Sequence, residues 1–139
     1  MRILITMLAL TRLMLLKRQW RDVALALAEL PESSRMLLAA LVFGEAQRAA
    51  KHPLPQFYAS AKLDAYRPWG DAVETAFEKV RSADAQQRLK AIATWLAVVY
   101  HETQNAAQPG LKSLHEEVGA HFIELRDLHQ RVLAIRKAA

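Results

Sequence analysis

Four side chains in the second half of the chain have the chemistry for metal binding or proton transfer. They are three histidines and a glutamate: His101, His115, Glu117 and His121. Imidazole and carboxylate groups bind transition metals, and imidazole also exchanges protons near neutral pH. The sequence contains neither Glu-x-x-His nor His-Glu-x-x-His, the spacings with which helices direct such ligands at one ion. A metal-binding bundle is therefore the last of three functions that the sequence leaves open.

His121 is the member of this set that the sequence places inside the fold. It occupies a core position in the apolar pattern of the last predicted helix, level with Leu96 on the preceding one. A buried polar group has to be hydrogen-bonded, so we expect its ring to bond Glu117 or a backbone carbonyl. We expect the charged residues nearby, among them His101 and Glu102, to form a solvated end of the bundle.

No other combination of residues indicates an enzyme. The sequence shows no nucleophile paired with a base and no glycine-rich phosphate-binding loop. It contains no cysteine, which excludes disulfides and thiolate metal sites and is typical of a reducing compartment. We therefore expect a cytoplasmic, non-enzymatic protein without a bound cofactor.

The positive charge of the chain is concentrated at its beginning. Five of the 19 lysines and arginines lie in the first 21 residues with no acid among them, whereas the remaining basic and acidic side chains balance at 14 each. Eleven of the 14 residues over 3–16 are apolar. Arg12 interrupts this run, which covers only about 21 Å of the roughly 30 Å of a bilayer interior. We expect neither a cleaved signal peptide nor a membrane-spanning helix.

Apolar periodicity and capping residues predict five helices and no strand. Alanine and leucine dominate the composition, with 25 and 21 residues, while 4 glycines and 5 prolines are few helix breakers. A proline-rich, aromatic connection over 52–71, with a short helix over 56–63, separates helices 2 and 3. Helix 1 covers 2–30, and helix 2 runs from Pro31 to just before His52. Helix 3 follows Asp71 and ends near Arg81, helix 4 runs from the cap Asp84 to the turn Pro109-Gly110, and helix 5 follows.

The apolar seams of helices 4 and 5 predict how these two helices pack. Their apolar residues recur at alternating spacings of three and four, a pattern typical of coiled-coil packing, and the short turn makes them an antiparallel hairpin. We expect helices 1 and 2 to form a second hairpin on the first. The fold class is then all-α, a compact bundle of about five helices in a single domain over 1–139. The seams consist of Ala85, Leu89, Ile92, Leu96, Val99, Thr103 and Ala106 in helix 4, and of Leu111, Leu114, Val118, His121, Leu125, Leu128, Val132 and Ile135 in helix 5.

Two apolar segments, over 3–16 and 36–43, have no polar face. A helix that is apolar all round has to be covered all round, and one small bundle does not easily cover two. The first hypothesis is therefore a non-enzymatic interaction protein, a homodimer or a small subunit of a larger assembly, that docks through helix 1. The candidate contacts are Leu4, Leu8, Trp20, Phe57, Tyr58, Tyr66 and Trp69.

The second hypothesis is a basic accessory subunit that binds nucleic acid. The chain has a net charge of +5, and its cations cluster at both ends. In helical projection the cations of helix 1 are scattered, which disfavours a membrane-surface role. The candidate phosphate contacts are Arg12, Lys17, Arg18, Arg21, Arg131, Arg136 and Lys137.

Overall fold

Five α-helices make up the described part of the chain. A computed structural model describes the backbone of residues 2–51, 67–82, 84–104 and 109–138, and the side chains of 14–46, 73–82, 84–104 and 109–137. No strand occurs within these ranges, so the all-α, five-helix fold class is confirmed. The helices are α1 (Arg2–Glu29), α2 (Glu32–Lys51), α3 (Arg67–Val80), α4 (Ala85–Thr103) and α5 (Pro109–Ala138).

The helix starts that carry local signals lie where the sequence predicts them. Pro31 separates α1 from α2, and its carbonyl accepts the first hydrogen bonds of α2, from the backbone N–H groups of Ser34 and Arg35. Asp84 caps α4: its carboxylate accepts from the backbone N–H groups of Gln86 at 2.9 Å and Gln87 at 3.2 Å.

Two predicted boundaries are wrong. α3 begins at Arg67 rather than after Asp71, because Pro68 suits the first turn of a helix, where its missing N–H costs nothing. For the same reason Pro109 opens α5 instead of ending α4, which already stops at Thr103. The rest of the 52–71 connection, with its short helix over 56–63 and with Phe57, Tyr58 and Tyr66, lies outside the described residues.

α4 lies at the centre and packs on α2, α3 and α5. Its antiparallel contact with α5 is confirmed by two residues: Thr103 Oγ1 lies 2.8 Å from His115 Nδ1, and the ring of Tyr100, one turn earlier, stacks on His115 and on Phe122, further along α5, with centroid distances of 4.5 and 4.3 Å. Gly119 permits this approach, since a Cβ there would lie 3.0 Å from the Tyr100 ring. α1 and α2 are joined only by Leu30 and Pro31. Among the described residues α2 packs on α4 and α5, whereas α1 packs on α3 and α5, so the main contacts of both helices are with the rest of the bundle and not with each other as the predicted hairpin requires.

The predicted seams are buried along α4 but only halfway along α5. Ala85, at the very start of α4, is exposed; Leu128 and Val132 are half-buried, and Ile135 is 69% exposed. The reason is length: α5 measures about 45 Å and α4 about 28 Å at 1.5 Å per residue, so the end of α5 extends past its neighbour. The buried seam residues are Leu89, Ile92, Leu96, Val99, Thr103, Leu111, Leu114, Val118 and Leu125.

Within the described ranges, no helix combines the length and the apolar character needed to cross a membrane.

Candidate interaction surface on α1

The second half of α1 is held in place by two tryptophans. Trp20 of α1 stacks on Trp95 of α4 with a centroid distance of 5.8 Å and an interplanar angle of 11°. The buried amide of Gln19 accepts a hydrogen bond from Trp95 Nε1 at 2.9 Å, and Glu117 of α5 accepts one from Trp20 Nε1 at 3.1 Å. Both indole N–H groups are therefore satisfied, as buried polar groups must be.

Further contacts fix the rotation of α1 about its axis. Leu16, Val23 and Leu27 are almost completely buried on the same side as Trp20. An ion pair joins Asp22 to Arg81, just beyond the end of α3. One face of α1 is thereby committed to the core, and the opposite face is held outward.

That opposite face, which we call the outer face of α1, consists of Met14, Lys17, Arg18, Arg21 and Leu25. Met14 is 67% and Leu25 60% exposed, and all three cations are exposed as well. In the described part of the chain none of these cations has a carboxylate partner. Large apolar side chains and unpaired arginines thus share one surface.

A groove runs along one edge of this face, between α1 and α5. It encloses about 670 Å³. Its apolar floor is formed by Trp20 and Leu114, while Lys17, Arg21 and Glu117 supply charge. The α1–α5 groove is lined by Lys17, Trp20, Arg21, Ala24, Leu25, Ser113, Leu114 and Glu117.

The metal-binding candidates are engaged in other contacts. His115 Nδ1 lies 2.8 Å from Thr103 Oγ1, and burial lowers the pKa of this histidine. Of the two partners predicted for His121, a backbone carbonyl or Glu117, the structure shows Glu117 accepting from Trp20 instead. His121 is half-buried, and its ring meets Trp20 edge-on at a centroid distance of 5.4 Å. Among the described residues no group of three or more histidines and carboxylates could hold a metal ion; His101 is half-buried.

The nucleic-acid candidates do not form one patch. Lys17, Arg18 and Arg21 lie together on α1, next to Glu117 of α5. Arg131 is fourteen residues further along α5, about 21 Å along the axis, and the exposed Arg136 and Lys137 lie beyond it. The side chain of Arg12 lies outside the described residues.

Of the partner-contact candidates that the sequence predicted, only Trp20 has a described side chain. Trp20 is only 9% exposed and belongs to the floor of the groove rather than to the outer face. The side chains of Leu4, Leu8 and Trp69 are not among the described ones. Sequence reasoning did not single out the exposed Met14 and Leu25. The available signal was that Leu25 is apolar but lies off the core-facing side of helix 1.

Glu102 is the other residue that sequence reasoning placed wrongly. It is 3% exposed rather than solvated, and in the described structure neither carboxylate oxygen has a hydrogen-bond partner. Burial raises its pKa from 4.5 to about 8, because an apolar environment disfavours the charged form. The side chain is therefore mostly protonated at neutral pH.

Comparisons with protein-family models, with curated proteins and with solved structures find no match for this chain. The function has to be argued from the surface itself.

Proposed function

We propose that this protein is a non-enzymatic helical interaction protein that binds a protein partner through the outer face of α1 and the α1–α5 groove. The observation that carries the proposal is the exposure of Met14 and Leu25, 67% and 60%, on a helix whose opposite face is locked into the core. Exposed apolar side chains beside a groove with an apolar floor are typical of protein-binding surfaces.

The chemistry of the surface supports a protein ligand. Methionine, tryptophan and arginine are enriched where proteins bind each other, and the outer face and its groove contain all three types. Complete burial of a leucine or methionine side chain contributes about 1.5–3 kcal/mol. A few such anchors at the centre of an interface supply most of its binding energy.

The second apolar segment, over 36–43, also leaves large apolar side chains exposed. Over 36–43, Leu38, Ala39 and Val42 are buried, but Met36 remains 46% and Leu37 52% exposed. The described chain thus leaves part of each apolar segment uncovered, which supports a partner rather than a self-contained bundle.

Affinity purification of the tagged full chain from the cells that encode it tests the proposal. We expect a stoichiometric protein partner that is retained by wild type and lost by Leu25→Asp. Thr75→Asp is the matched control, since Thr75 is exposed on α3 at a different groove, and it should retain the partner.

Two results contradict the proposal. One is that wild type and Leu25→Asp bring down the same proteins, or none. The other is that the partner disappears when the lysate is treated with nuclease, which would assign the surface to nucleic acid.

A further inference from the structure

We infer that the partner presents an acidic amphipathic helix to the outer face of α1, and that this partner is not a second copy of the chain. The inference rests on the proposed function and specifies the chemistry of its partner. Three observations carry it: the order of side chains along the outer face, their lack of ion-pair partners, and the absence of acids from the start of the chain.

The outer face has a defined order of side chains. Met14, Arg18, Arg21 and Leu25 follow one another at spacings of four, three and four, which places them in one stripe along a helix. The stripe is about 16 Å long. It reads apolar, cationic, cationic, apolar, and both apolar ends are more than half exposed.

Pairing of this stripe with its own copy brings like charges together. In an antiparallel pair Arg18 faces the Arg21 of the other copy, and in a parallel pair each arginine faces itself. Like charges in contact across an interface disfavour association. The first 21 residues contain no acid, and Asp22 already pairs with Arg81.

The acidic side chains of α5 do not complement the stripe either. The exposed acids on this helix are Glu116, Glu117, Glu124 and Asp127. Glu117 already accepts from Trp20, and Glu124 pairs with Arg35 at 3.7 Å. Glu124 and Asp127 lie three residues apart, but Arg131 stands four residues after Asp127, where the pattern requires an apolar side chain. The exposed Leu25, Glu29, Glu32 and Met36 have the required spacing, but the break between α1 and α2 divides them, so they do not form a stripe on one helix.

The complementary helix follows from the stripe. It carries two apolar residues eleven positions apart, with carboxylates at the fourth and seventh positions after the first of them. Each apolar residue then meets Met14 or Leu25, and each carboxylate meets an arginine, whose planar guanidinium is suited to two parallel hydrogen bonds. Lys17, beside the stripe, adds to the attraction for an acidic partner.

A fluorescent synthetic helix with this pattern tests the inference directly by fluorescence anisotropy with the full chain. Its control is an isomer of identical composition with the two glutamates on the opposite face. We expect the patterned peptide to bind wild type more tightly than the isomer does. The double variant Arg18→Glu, Arg21→Glu should bind it about tenfold more weakly, from the loss of two ion pairs and the repulsion that replaces them. A patterned peptide with lysines in place of the glutamates should bind the double variant more tightly than it binds wild type.

Net charge is controlled by a second double variant, Arg126→Glu, Arg131→Glu, which changes two exposed cations outside the α1–α5 groove by the same amount. It should bind the acidic peptide as wild type does. Equal binding of the two peptide isomers, equal loss in both double variants, or a concentration-dependent dimer in light scattering would each overturn the inference.

Failure of this inference is distinguishable from failure of the proposed function. If a partner is lost on Leu25→Asp but still purifies with the Arg18→Glu, Arg21→Glu variant, the surface binds protein and the acidic helix is wrong. If Leu25→Asp loses nothing, the proposed function itself is wrong.

Discussion

Two grooves of similar size lie on this bundle, and their linings differ. The α1–α5 groove encloses about 670 Å³, and a second groove between α3 and α4 about 570 Å³. The first exposes Leu25 above a floor of Trp20 and Leu114, whereas the second is lined by Thr75, Ala76, Lys79, Gln87, Lys90, Ala91 and Thr94. Diverging helices leave grooves of this size, so volume does not single out either one. The proposed binding surface is distinguished by its large exposed side chains, Met14 and Leu25, and by the tryptophan in the floor of its groove.

The contrast originates in the side chains that space the helices. α3 packs on α4 through Val73, Ala76 and Val80, whose small size permits a close approach. α1 meets α4 through the stacked rings of Trp20 and Trp95, which keep the two backbones further apart. The tryptophan pair therefore anchors α1, and its Trp20 ring forms part of the floor of the α1–α5 groove.

The largest effect on stability is expected from removing the tryptophan of α4 on which α1 stacks. Trp95→Ala deletes a fully buried ring and leaves a cavity, and it should lower the free energy of unfolding by about 3–5 kcal/mol. Its neighbour Thr94, which lines the α3–α4 groove, is the control: Thr94→Ala should cost less than about 1 kcal/mol. Urea unfolding measures both, and equal losses would remove the distinction between the two helix contacts.

Glu102 lines neither of these two grooves, so a change at this residue should alter stability without altering partner binding. Its folded-state pKa of about 8 lies above the ordinary 4.5, so the folded chain retains a proton that the unfolded chain releases between these values. Wild-type stability should therefore fall as the pH rises through this window, by roughly 3–5 kcal/mol in all.

Glu102→Gln should abolish this fall, leaving the variant more stable than wild type at about pH 9 and its partner binding unchanged. Urea unfolding over a pH series measures the effect. Parallel pH profiles for the two proteins would show that Glu102 does not hold a proton in the folded state.

A smaller effect is expected at the hydrogen bond between Gln19 and Trp95. Gln19→Leu leaves the buried indole N–H without an acceptor and should cost about 1–3 kcal/mol. Trp95→Phe removes the donor, so Gln19→Leu should cost clearly less in the Trp95→Phe background. A double-mutant cycle by urea unfolding measures this coupling, and additive losses would mean that the hydrogen bond contributes nothing to holding α1.

The smallest effect on stability is expected at the surface residues that distinguish the grooves. Leu25→Asp and Thr75→Leu should each change the free energy of unfolding by less than about 0.5 kcal/mol, because both sites are exposed. Only the first should change partner binding, since one added leucine gives the α3–α4 groove neither a tryptophan floor nor an exposed arginine. A partner gained by Thr75→Leu would show that any exposed leucine on this bundle suffices.

Local chemistry predicted the helices well where a single residue decides the outcome. Asp84 caps α4 because its side chain satisfies N–H groups two and three residues ahead, whatever the rest of the fold does. Pro68 and Pro109 were harder, because a proline is equally compatible with a helix that has ended and with one that is beginning. The sequence prediction left Pro68 in the connection before helix 3 and took Pro109 as the end of helix 4, whereas the structure places both in the first turn of a helix.

The candidate surface could not be predicted from the sequence, because it depends on contacts between distant parts of the chain. Glu102 resembles a solvated residue at a helix end, and only the packing of α2, α3 and α5 around α4 buries that helix on several sides. Leu25 is exposed because Trp20, five residues earlier, turns the opposite face of α1 onto Trp95. That stack joins residues 75 positions apart, which periodicity within one helix does not reveal.

The central claim, that the outer face of α1 and not merely any groove binds a protein, is tested most directly by photocrosslinking in living cells. The photoreactive amino acid p-benzoylphenylalanine is placed at position 25 in one variant and at position 75 in another. We predict one discrete protein adduct from position 25, competed by the untagged wild-type chain, and none from position 75. Equal adducts from the two positions, or adducts from position 75 alone, would contradict the account.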